Sequence, residues 1–241
     1  MKKRLSDLPY FYMPALNPGP GLAAGGPEAT LDEATSRHCI QVLRMRTGDP
    51  LLLTDGQGHE SRATIRTPDK RNCVVSLEAQ EFRPRTGPDV HIALSPLKNA
   101  HRYEWFLEKA TEIGVAVLTP LLTERTERDI VKPERLRNIL ISAMLQSRQV
   151  WLPKLEEPTE LNALLDQDSK GRRFIAHLVE GERKHLRGGG TSTILIGPEG
   201  DFTPGEVEKA LSRGWDPVSL GENRLRTETA GIVAAALLRL G

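Results

Sequence analysis

Apolar residues in the downstream two thirds of the chain follow two alternating patterns. In one, they recur at helical spacing: Phe106, Ala110 and Ile113 fall at i, i+4 and i+7, on one helical face. In the other, short continuous apolar runs separate the helical segments. Alternation of this kind is typical of βαβ units with a parallel sheet. The runs predict strands at residues 90–95, 115–121, 173–179, 193–197 and 217–220.

Two further helices are predicted from their ends and their composition. Thr203, Pro204 and Glu206 match a capping box with proline at the first helical position, so a helix should begin there and end at Gly214. The last helix, over residues 228–238, is apolar nearly all round and is expected to be buried on more than one side. A second copy of the chain could supply one of those walls.

The upstream third has a different pattern. Short β-type runs alternate there with turn signals, a spacing that suits a small β-barrel or sandwich. One helix, over residues 33–45, interrupts the runs. Two prolines and a glycine at residues 84–89 fit neither helix nor strand. The predicted division is a β domain at residues 1–83, a linker at 84–89 and an α/β domain at 90–241.

Composition and charge narrow the class of protein. A chain of 241 residues with 38% hydrophobic and 27% charged residues is an ordinary globular protein. Its 33 basic and 32 acidic residues leave a net charge of +1, so it lacks the bulk charge of a general nucleic-acid coat. Asp7, Pro9 and Pro14 interrupt any apolar run near the N-terminus. No secretory signal is therefore predicted, and a cytoplasmic protein is expected.

Missing motifs exclude several kinds of catalytic site. The chain has no GxxxxGK[ST] phosphate loop and no GxSxG nucleophile turn. Cys39 and Cys73 are too far apart for a CxxC pair and are expected to be buried, reduced thiols. The six histidines lack the HExxH spacing of a zinc site. No metal site is predicted.

The remaining candidate chemistry lies in two glycine-containing turns that follow predicted strands. One reads IGPEGDFT at residues 196–203, and the other reads LGENRLRTETA at residues 220–230. In a parallel sheet, ligands bind at the carboxyl ends of strands, and glycine allows close backbone approach. Either turn alone could be a plain βα connection or a solvated loop with a helix cap. Two such turns on successive strands favour a shared pocket.

These turns carry a resemblance to a known family. IGPEGDFTPGE at 196–206 and LGENRLRTETA at 220–230 resemble the signature of the RsmE family of 16S rRNA uridine-N3 methyltransferases, within the SPOUT superfamily. HCIQVLRMRTGD at 38–49, LSPLKNAHRYEWFLEKATEIGV at 94–115 and AMLQSRQVWLP at 143–153 match in the same order. The chain departs from the family at Asp201, where a second glycine is usual, and at Pro9, where an arginine is usual.

The resemblance implies both a fold and an activity. The C-terminal domain would be an α/β SPOUT domain with a parallel sheet and a deep trefoil knot, and the N-terminal domain a small PUA-like β-barrel that binds RNA. S-adenosylmethionine would bind in the knot and supply a methyl group to N3 of a specific uridine in the decoding region of 16S rRNA. The partners implied are 16S rRNA within the 30S subunit and a second copy of the chain, with no membrane and no metal. Two alternatives remain open: a SPOUT methyltransferase that acts on tRNA, and a non-catalytic RNA-binding assembly factor.

The resemblance also implies site residues. Arg226 would stabilise negative charge on the uracil or only bind phosphate; Glu228 would take the N3 proton or only favour the helix dipole, with Glu199 or solvent as other acceptors. His177 is either a cofactor contact or a core histidine, and Tyr10, Phe11 or Tyr12 would stack on a base or pack in the core. The implied cofactor contacts are His177, Leu178, Ile196, Gly197, Pro198, Gly200, Leu220, Gly221 and Leu225. The implied RNA contacts are Arg37, Arg44, Arg46, Lys98, Arg125 and Arg148.

Overall fold

The chain divides into two compact units. A computed structural model describes residues 7–16, 27–127, 132–167, 171–178 and 180–241. The first unit comprises Met1–Arg85 and Met144–Trp151, and the second comprises Thr86–Ala143 and Leu152–Gly241. Residues 144–151 thus group with the first unit, whereas the sequence-based division kept them in the second. Val179, the last residue of one predicted strand, lies outside the described residues.

A five-stranded sheet forms the first unit. The strands are β1 (Tyr10–Tyr12), β2 (Glu28–Thr30), β3 (Pro50–Thr54), β4 (His59–Thr67) and β5 (Val74–Phe82). Their order in the sheet is β1-β3-β4-β5-β2, and all pairings are antiparallel except that of β1 with β3. Cys39 and Cys73 are free and fully buried in its core, as predicted.

The helix predicted over residues 33–45 is shorter than expected. The α-helix α1 (Glu33–Arg37) begins at Asp32, whose Oδ1 accepts a hydrogen bond from Thr35 N–H at 2.9 Å. The chain then widens into a π-helical turn over His38–Val42. It leaves this turn through Arg44, whose φ of 54° is incompatible with a right-handed helix.

Several contacts hold residues 144–151 in the first unit. The indole N–H of Trp151 donates to the Arg83 carbonyl at 2.9 Å, and Trp151 also pairs with Gln57 in an isolated antiparallel bridge. Tyr10 donates its hydroxyl to the Gln149 carbonyl at 3.1 Å. The stabilising groups therefore come from residues more than sixty positions away in the sequence, which local patterns do not reveal.

The second unit contains an eight-stranded sheet in which every pairing is parallel, which confirms the predicted parallel sheet. The strands are β6 (Val90–Leu94), β7 (Val117–Leu122), β8 (Lys154–Leu155), β9 (Thr159–Glu160), β10 (Arg172–Ala176), β11 (Lys184–His185), β12 (Ser192–Ile196) and β13 (Asp216–Ser219). Their order in the sheet is β11-β13-β10-β12-β6-β7-β8, and β9 also pairs with β7. The three strands that sequence analysis missed have only two residues each.

Helices cover this sheet, and apolar side chains fill both of its faces. On β12, Ile194 and Ile196 belong to one core cluster and Leu195 to another, as the alternation of side chains along a strand requires. The predicted capping box is present, since Thr203 Oγ1 accepts from Glu206 N–H and Glu206 accepts from Thr203 N–H. The helices are α2 (Ala100–Ile113), α3 (Pro133–Gln146), α4 (Leu161–Leu165), α5 (Pro204–Ser212) and α6 (Thr227–Leu240).

The last helix, α6, packs against α2, β6 and β12. A β-carbon on Gly231 would lie 2.5 Å from Leu94 and 2.6 Å from Phe106, so only glycine permits this close approach. Within the described part of the chain, the fully buried residues of α6 lie along one face. The opposite side ends at Leu240, which is 75% exposed. Among the described residues, α6 is therefore fully covered on one side only, and burial on more than one side stays a prediction.

Candidate active site

A cavity of about 430 Å³ lies in the second unit, at the carboxyl ends of β10, β12 and β13. Ligand sites in parallel sheets occur at this edge. Its walls are the end of β10 and the two loops that follow β12 and β13, with Arg102 and Arg183 added from elsewhere. The lining residues are 176–178, 196–199, 201, 218–228 and 230, together with Arg102 and Arg183.

Two side chains, those of Phe202 and Arg125, hold the loop after β12 in place. A β-carbon on Gly197 would lie 3.2 Å from the ring and the backbone nitrogen of Phe202, which is fully buried. Because residue 197 is a glycine, Phe202 can pack directly against this turn and anchor the loop. The Gly200 carbonyl accepts a hydrogen bond from Arg125 Nη1 at 2.7 Å. Asp201 closes the turn, since its N–H donates to the Pro198 carbonyl at 3.0 Å.

The loop after β13 is held by Ser219. Its hydroxyl donates to the Gly221 carbonyl at 2.9 Å and accepts from the Gly221 N–H at 3.3 Å. Gly221 has a φ of 135°, a conformation that L side chains rarely adopt. The loop continues to Arg226, which precedes the first residue of α6 as its N-cap. The glycine predicted to shape this wall is therefore required by the backbone.

The third wall is the end of β10. His177 is buried, and its carbonyl accepts a hydrogen bond from the Arg183 guanidinium. Leu178 is 51% exposed, and its N–H donates to Asp201 Oδ2 at 2.7 Å. The Asp201 carboxylate thus connects the end of β10 with the loop after β12.

Charged side chains also line the cavity. Glu228 is buried, and its Oε1 lies 3.7 Å from Arg102 Nε. Arg226 is exposed and makes no capping hydrogen bond with its side chain. Glu199 Oε1 accepts a hydrogen bond from Lys98 N–H at 3.3 Å. The cavity therefore combines an accessible cation, a buried carboxylate and that carboxylate's own ion-pair partner.

Comparison with known proteins decides the family. Residues 85–239 match the model of an RNA methyltransferase domain, and residues 31–78 match that of an RNA methyltransferase PUA domain. The Ribosomal RNA small subunit methyltransferase E of Rickettsia conorii is 31% identical over 218 residues, covering 86% of this chain and 89% of that protein. The chain belongs to the RsmE family.

Solved structures of similar proteins have the same fold as this RsmE-family chain. A probable rRNA methyltransferase from Porphyromonas gingivalis matches with a TM-score of 0.86 and 41% identity, covering 95% of each chain. Ribosomal RNA small subunit methyltransferase E from Neisseria gonorrhoeae, solved bound to S-adenosyl methionine, matches with a TM-score of 0.82 and 26% identity, covering 95% of each chain.

Most of the cofactor residues predicted from the RsmE resemblance lie together. Eight of the nine line the cavity. These are His177, Leu178, Ile196, Gly197, Pro198, Leu220, Gly221 and Leu225. Gly200 is the exception, and its carbonyl is held by Arg125 outside the lining. Both predicted catalytic residues, Arg226 and Glu228, line the same cavity.

Arg102 is a lining residue that sequence analysis did not select. It lies within the RsmE-like segment 94–115, but nothing in the local pattern distinguishes it from the other charged residues of that helix. Its place in the cavity follows from the packing of α2 against α6, which brings its guanidinium to Glu228. Arg102 lies in the first turn of α2, a position that carries no local signal of this contact.

The six predicted RNA contacts are divided between the units. Lys98 and Arg125 belong to the second unit, and the other four belong to the first. Arg37 pairs with Glu33 at 2.6 Å, while Arg44 and Arg46 are exposed. Lys98 Nζ lies 2.8 Å from Glu127, a hydrogen-bonded pair that raises the pKa of Lys98.

Two of these predicted contacts, Arg125 and Arg148, bind backbone carbonyls instead of being fully available to phosphate. Arg125 holds Gly200 as described. Arg148 Nη2 donates to the Leu8 carbonyl at 2.9 Å, and its guanidinium lies 5.4 Å from the centroid of the Tyr10 ring. Tyr10 itself is 9% exposed, and burial raises the pKa of its hydroxyl. The core alternative therefore holds for Tyr10.

Clusters of metal-ligating side chains and membrane-spanning helices are both absent from the described part of this RsmE-family chain. Among those residues, no three His, Cys, Asp or Glu side chains are grouped so that they could hold a metal ion. None of the helices there has the length and apolar character needed to cross a membrane.

Proposed function

We propose that this chain transfers the methyl group of S-adenosylmethionine to N3 of a specific uridine in the decoding region of 16S rRNA. The observation that carries the proposal is the cavity at the carboxyl ends of β10, β12 and β13, which brings the predicted cofactor residues together with Arg226 and Glu228. Membership of the RsmE family and the cofactor bound in the Neisseria gonorrhoeae structure support it. A ribosomal substrate would place the activity in the cytoplasm.

The residues around the cavity fit this cofactor. A volume of about 430 Å³ lies within the usual size range of small-molecule sites. Ile196, Leu220 and Leu225 offer apolar surface for an adenine. Backbone N–H and C=O groups of the glycine-containing loops would bind its polar edge. When bound, S-adenosylmethionine supplies an electrophilic methyl group.

The chain's own charged residues would prepare the uracil. N3 carries a proton that must leave before or during transfer, and negative charge then develops on the adjoining carbonyl oxygens. Arg226, accessible at the cavity, would stabilise that charge. Glu228 would accept the proton, because it is buried in the same cavity and Arg102 lies 3.7 Å from its Oε1. Glu199 is the alternative acceptor at this edge.

We also propose that the chain around the cavity forms the trefoil knot. The sheet order is β13-β10-β12-β6, yet α6, which follows β13 after a short loop, packs on β6 and β12. The chain must therefore cross the carboxyl ends of β10 and β12 between β13 and α6. This return across the sheet is the path that threading through the loop after β12 requires.

A methyl-transfer experiment tests the activity. Purified protein would be titrated with S-adenosylmethionine in a calorimeter and then incubated with 30S subunits from cells lacking it, and nucleosides would be analysed by mass spectrometry. We expect cofactor binding and new N3-methyluridine, mapped to the decoding region. Naked 16S rRNA as a parallel substrate tests whether the assembled subunit is needed.

The same experiment separates this activity from its alternatives. Methylation of tRNA instead of 16S rRNA would contradict the proposed substrate. If the protein bound RNA but gave no heat of binding with S-adenosylmethionine, it would be a non-catalytic RNA-binding factor. Arg226→Ala should bind the cofactor normally but methylate far more slowly, and a wild-type rate would remove Arg226 from the mechanism.

We further propose a homodimer formed through α6. Val233, Ala236 and Leu240 recur at i, i+3 and i+7 on the side of α6 that the chain leaves partly uncovered. Light scattering should give about twice the 26.7 kDa chain mass. Val233→Glu should give the monomer mass, whereas Leu211→Glu, a control on the exposed side of α5, should not. A monomeric wild-type protein would refute the dimer.

The RNA contacts are proposed on the same basis. Arg37, Arg44 and Arg46 are exposed in the PUA-like unit and would contact phosphates, which position an RNA without reading its sequence. Because the net charge of the chain is only +1, we expect selective binding to the ribosomal site and weak binding to unrelated RNA at physiological salt.

A further inference from the structure

Asp201 has an unusual backbone conformation at the cavity. In the described part of the chain, three non-glycine residues have a left-handed φ, and Asp201, with a φ of 60°, is the one that lines the cavity. Aspartate tolerates this conformation better than most residues, yet glycine meets it with no steric cost. A glycine, which is usual in the resembling family, would therefore satisfy the backbone here. The backbone conformation alone therefore does not explain why a carboxylate side chain is present at this position.

The contacts of Asp201 supply that explanation. Its Oδ2 accepts the Leu178 N–H at 2.7 Å, across the gap between the loop after β12 and the end of β10. Its own N–H closes the turn onto Pro198, and the next residue, Phe202, is fully buried beneath the loop. The backbone of Asp201 is therefore held in place, so its carboxylate projects from a fixed position. The carboxylate holds the backbone of Leu178, which lies beyond the end of β10 and is half exposed.

We propose that Asp201 is a positioning residue that ties two walls of the cavity together and thereby presets the cavity for its cofactor. The inference rests on the proposed function, because the benefit is to cofactor binding. A cavity whose walls are already spaced loses less conformational freedom when a ligand binds, so its affinity is higher. The hydrogen bond has a charged acceptor, the stronger kind, which suits it to hold a backbone segment that lies outside a strand.

Two variants separate the hydrogen bond from the charge and from the backbone conformation. Asp201→Gly keeps the left-handed φ available but removes the tether. Asp201→Asn also tolerates the left-handed φ and keeps a side-chain oxygen that can accept the Leu178 N–H, while it removes the charge. Circular dichroism and thermal unfolding would establish that both variants fold.

The measurements are amide hydrogen exchange at Leu178 in the free protein and the Kd of S-adenosylmethionine by calorimetry. We expect Asp201→Gly to speed exchange at Leu178 and to weaken cofactor binding by up to about 10-fold, because a hydrogen bond to a charged acceptor of that strength no longer holds the free cavity in its binding geometry. Asp201→Asn, whose neutral oxygen is a weaker acceptor, should restore both values in part and lie between Asp201→Gly and the wild type.

Each other outcome overturns a stated part of the reasoning. Wild-type affinity in Asp201→Gly would show that the tether does not preset the cavity. An Asp201→Asn variant as weak as Asp201→Gly would assign the effect to charge and reject the tether. If the wild-type protein did not bind S-adenosylmethionine at all, the proposed function would fail, and exchange at Leu178 would still decide whether the tether exists.

Discussion

Acidification should destabilise the second unit through His91. This residue lies on β6, in the middle of the parallel sheet, and its Nε2 is 2.7 Å from Thr119 Oγ1. Burial lowers the pKa of His91 to about 4, with smaller and opposing effects of Glu156 and Lys154. A histidine in the unfolded chain titrates near ~6.5, so the unfolded state takes up a proton at a pH where the folded state does not.

The sign and the size of the effect follow from linkage. Above pH ~6.5 both states are neutral at His91 and stability is unaffected; as the pH falls towards 4, the unfolded state binds the proton first and stability is progressively lost. With pKa values of about 4 and ~6.5, the free energy of unfolding should fall by ~2 kcal/mol between pH 7 and pH 5 because of His91 alone.

Urea denaturation at pH 7 and pH 5 measures this loss. His91→Gln removes the titrating group, so its free energy of unfolding should change by ~2 kcal/mol less than that of the wild type over the same interval. His185→Gln, at an exposed position, is the matched control and should follow the wild-type curve. Equal losses in the wild type and His91→Gln would show that protonation of His91 does not determine the acid sensitivity.

Three further predictions concern the packing of α6 and the groups around the cavity. Gly231→Ala should lower the free energy of unfolding by about 1–3 kcal/mol, because its β-carbon would overlap Leu94 and Phe106; Gly205→Ala, with open space around the added β-carbon, should not destabilise α5, and thermal denaturation compares the two. Arg102→Gln should lower kcat while leaving the Kd of S-adenosylmethionine unchanged, since it removes the cation beside Glu228; Arg135→Gln, which breaks a surface pair with Glu104, should leave kcat unaffected in the same methylation assay. Arg125→Ala should weaken cofactor binding several-fold, because it frees the Gly200 carbonyl, whereas Arg37→Ala should weaken only RNA binding. Calorimetry measures the cofactor affinity and filter binding the RNA affinity. An Arg125→Ala variant that is impaired only in RNA binding would favour a phosphate contact for Arg125 instead.

The parts of the fold that sequence reasoning predicted are those that local residues determine. The start of α5 depends on Thr203 and Glu206, three positions apart, and both hydrogen bonds of the capping box form. The long parallel strands are continuous apolar runs because both of their faces are buried. Two loops at the ends of such strands must meet at one edge of the sheet, so their residues could be grouped into a site before the structure was known.

The parts that sequence reasoning missed depend on long-range contacts. Residues 144–151 belong to the first unit because Tyr10 and Arg83 bind their backbone and side-chain groups, and those partners are distant in sequence. Arg102 enters the cavity only because α2 packs against α6. Neither fact leaves a local pattern of spacing or composition.

The roles of cationic side chains are also hard to predict from the sequence. Arg125 and Arg148 were predicted to contact phosphate because they are positively charged and lie in family-like segments, yet each donates to a backbone carbonyl of its own unit. A guanidinium carries five N–H donors, so it can hold a carbonyl and still attract an anion. Charge alone therefore does not distinguish an RNA contact from an internal brace, and the variants above must be tested against both ligands.

The shape of the cavity depends on the side chains that hold its loops. Polar side chains hold each of its glycine-containing loops: Ser219 for the loop after β13, and Arg125 and Asp201 for the loop after β12. A substitution of one apolar lining residue changes a single side chain, whereas a substitution of a bracing residue frees the whole loop that it holds. Cofactor affinity should therefore respond more strongly to Asp201 and Arg125 than to apolar lining residues such as Leu225.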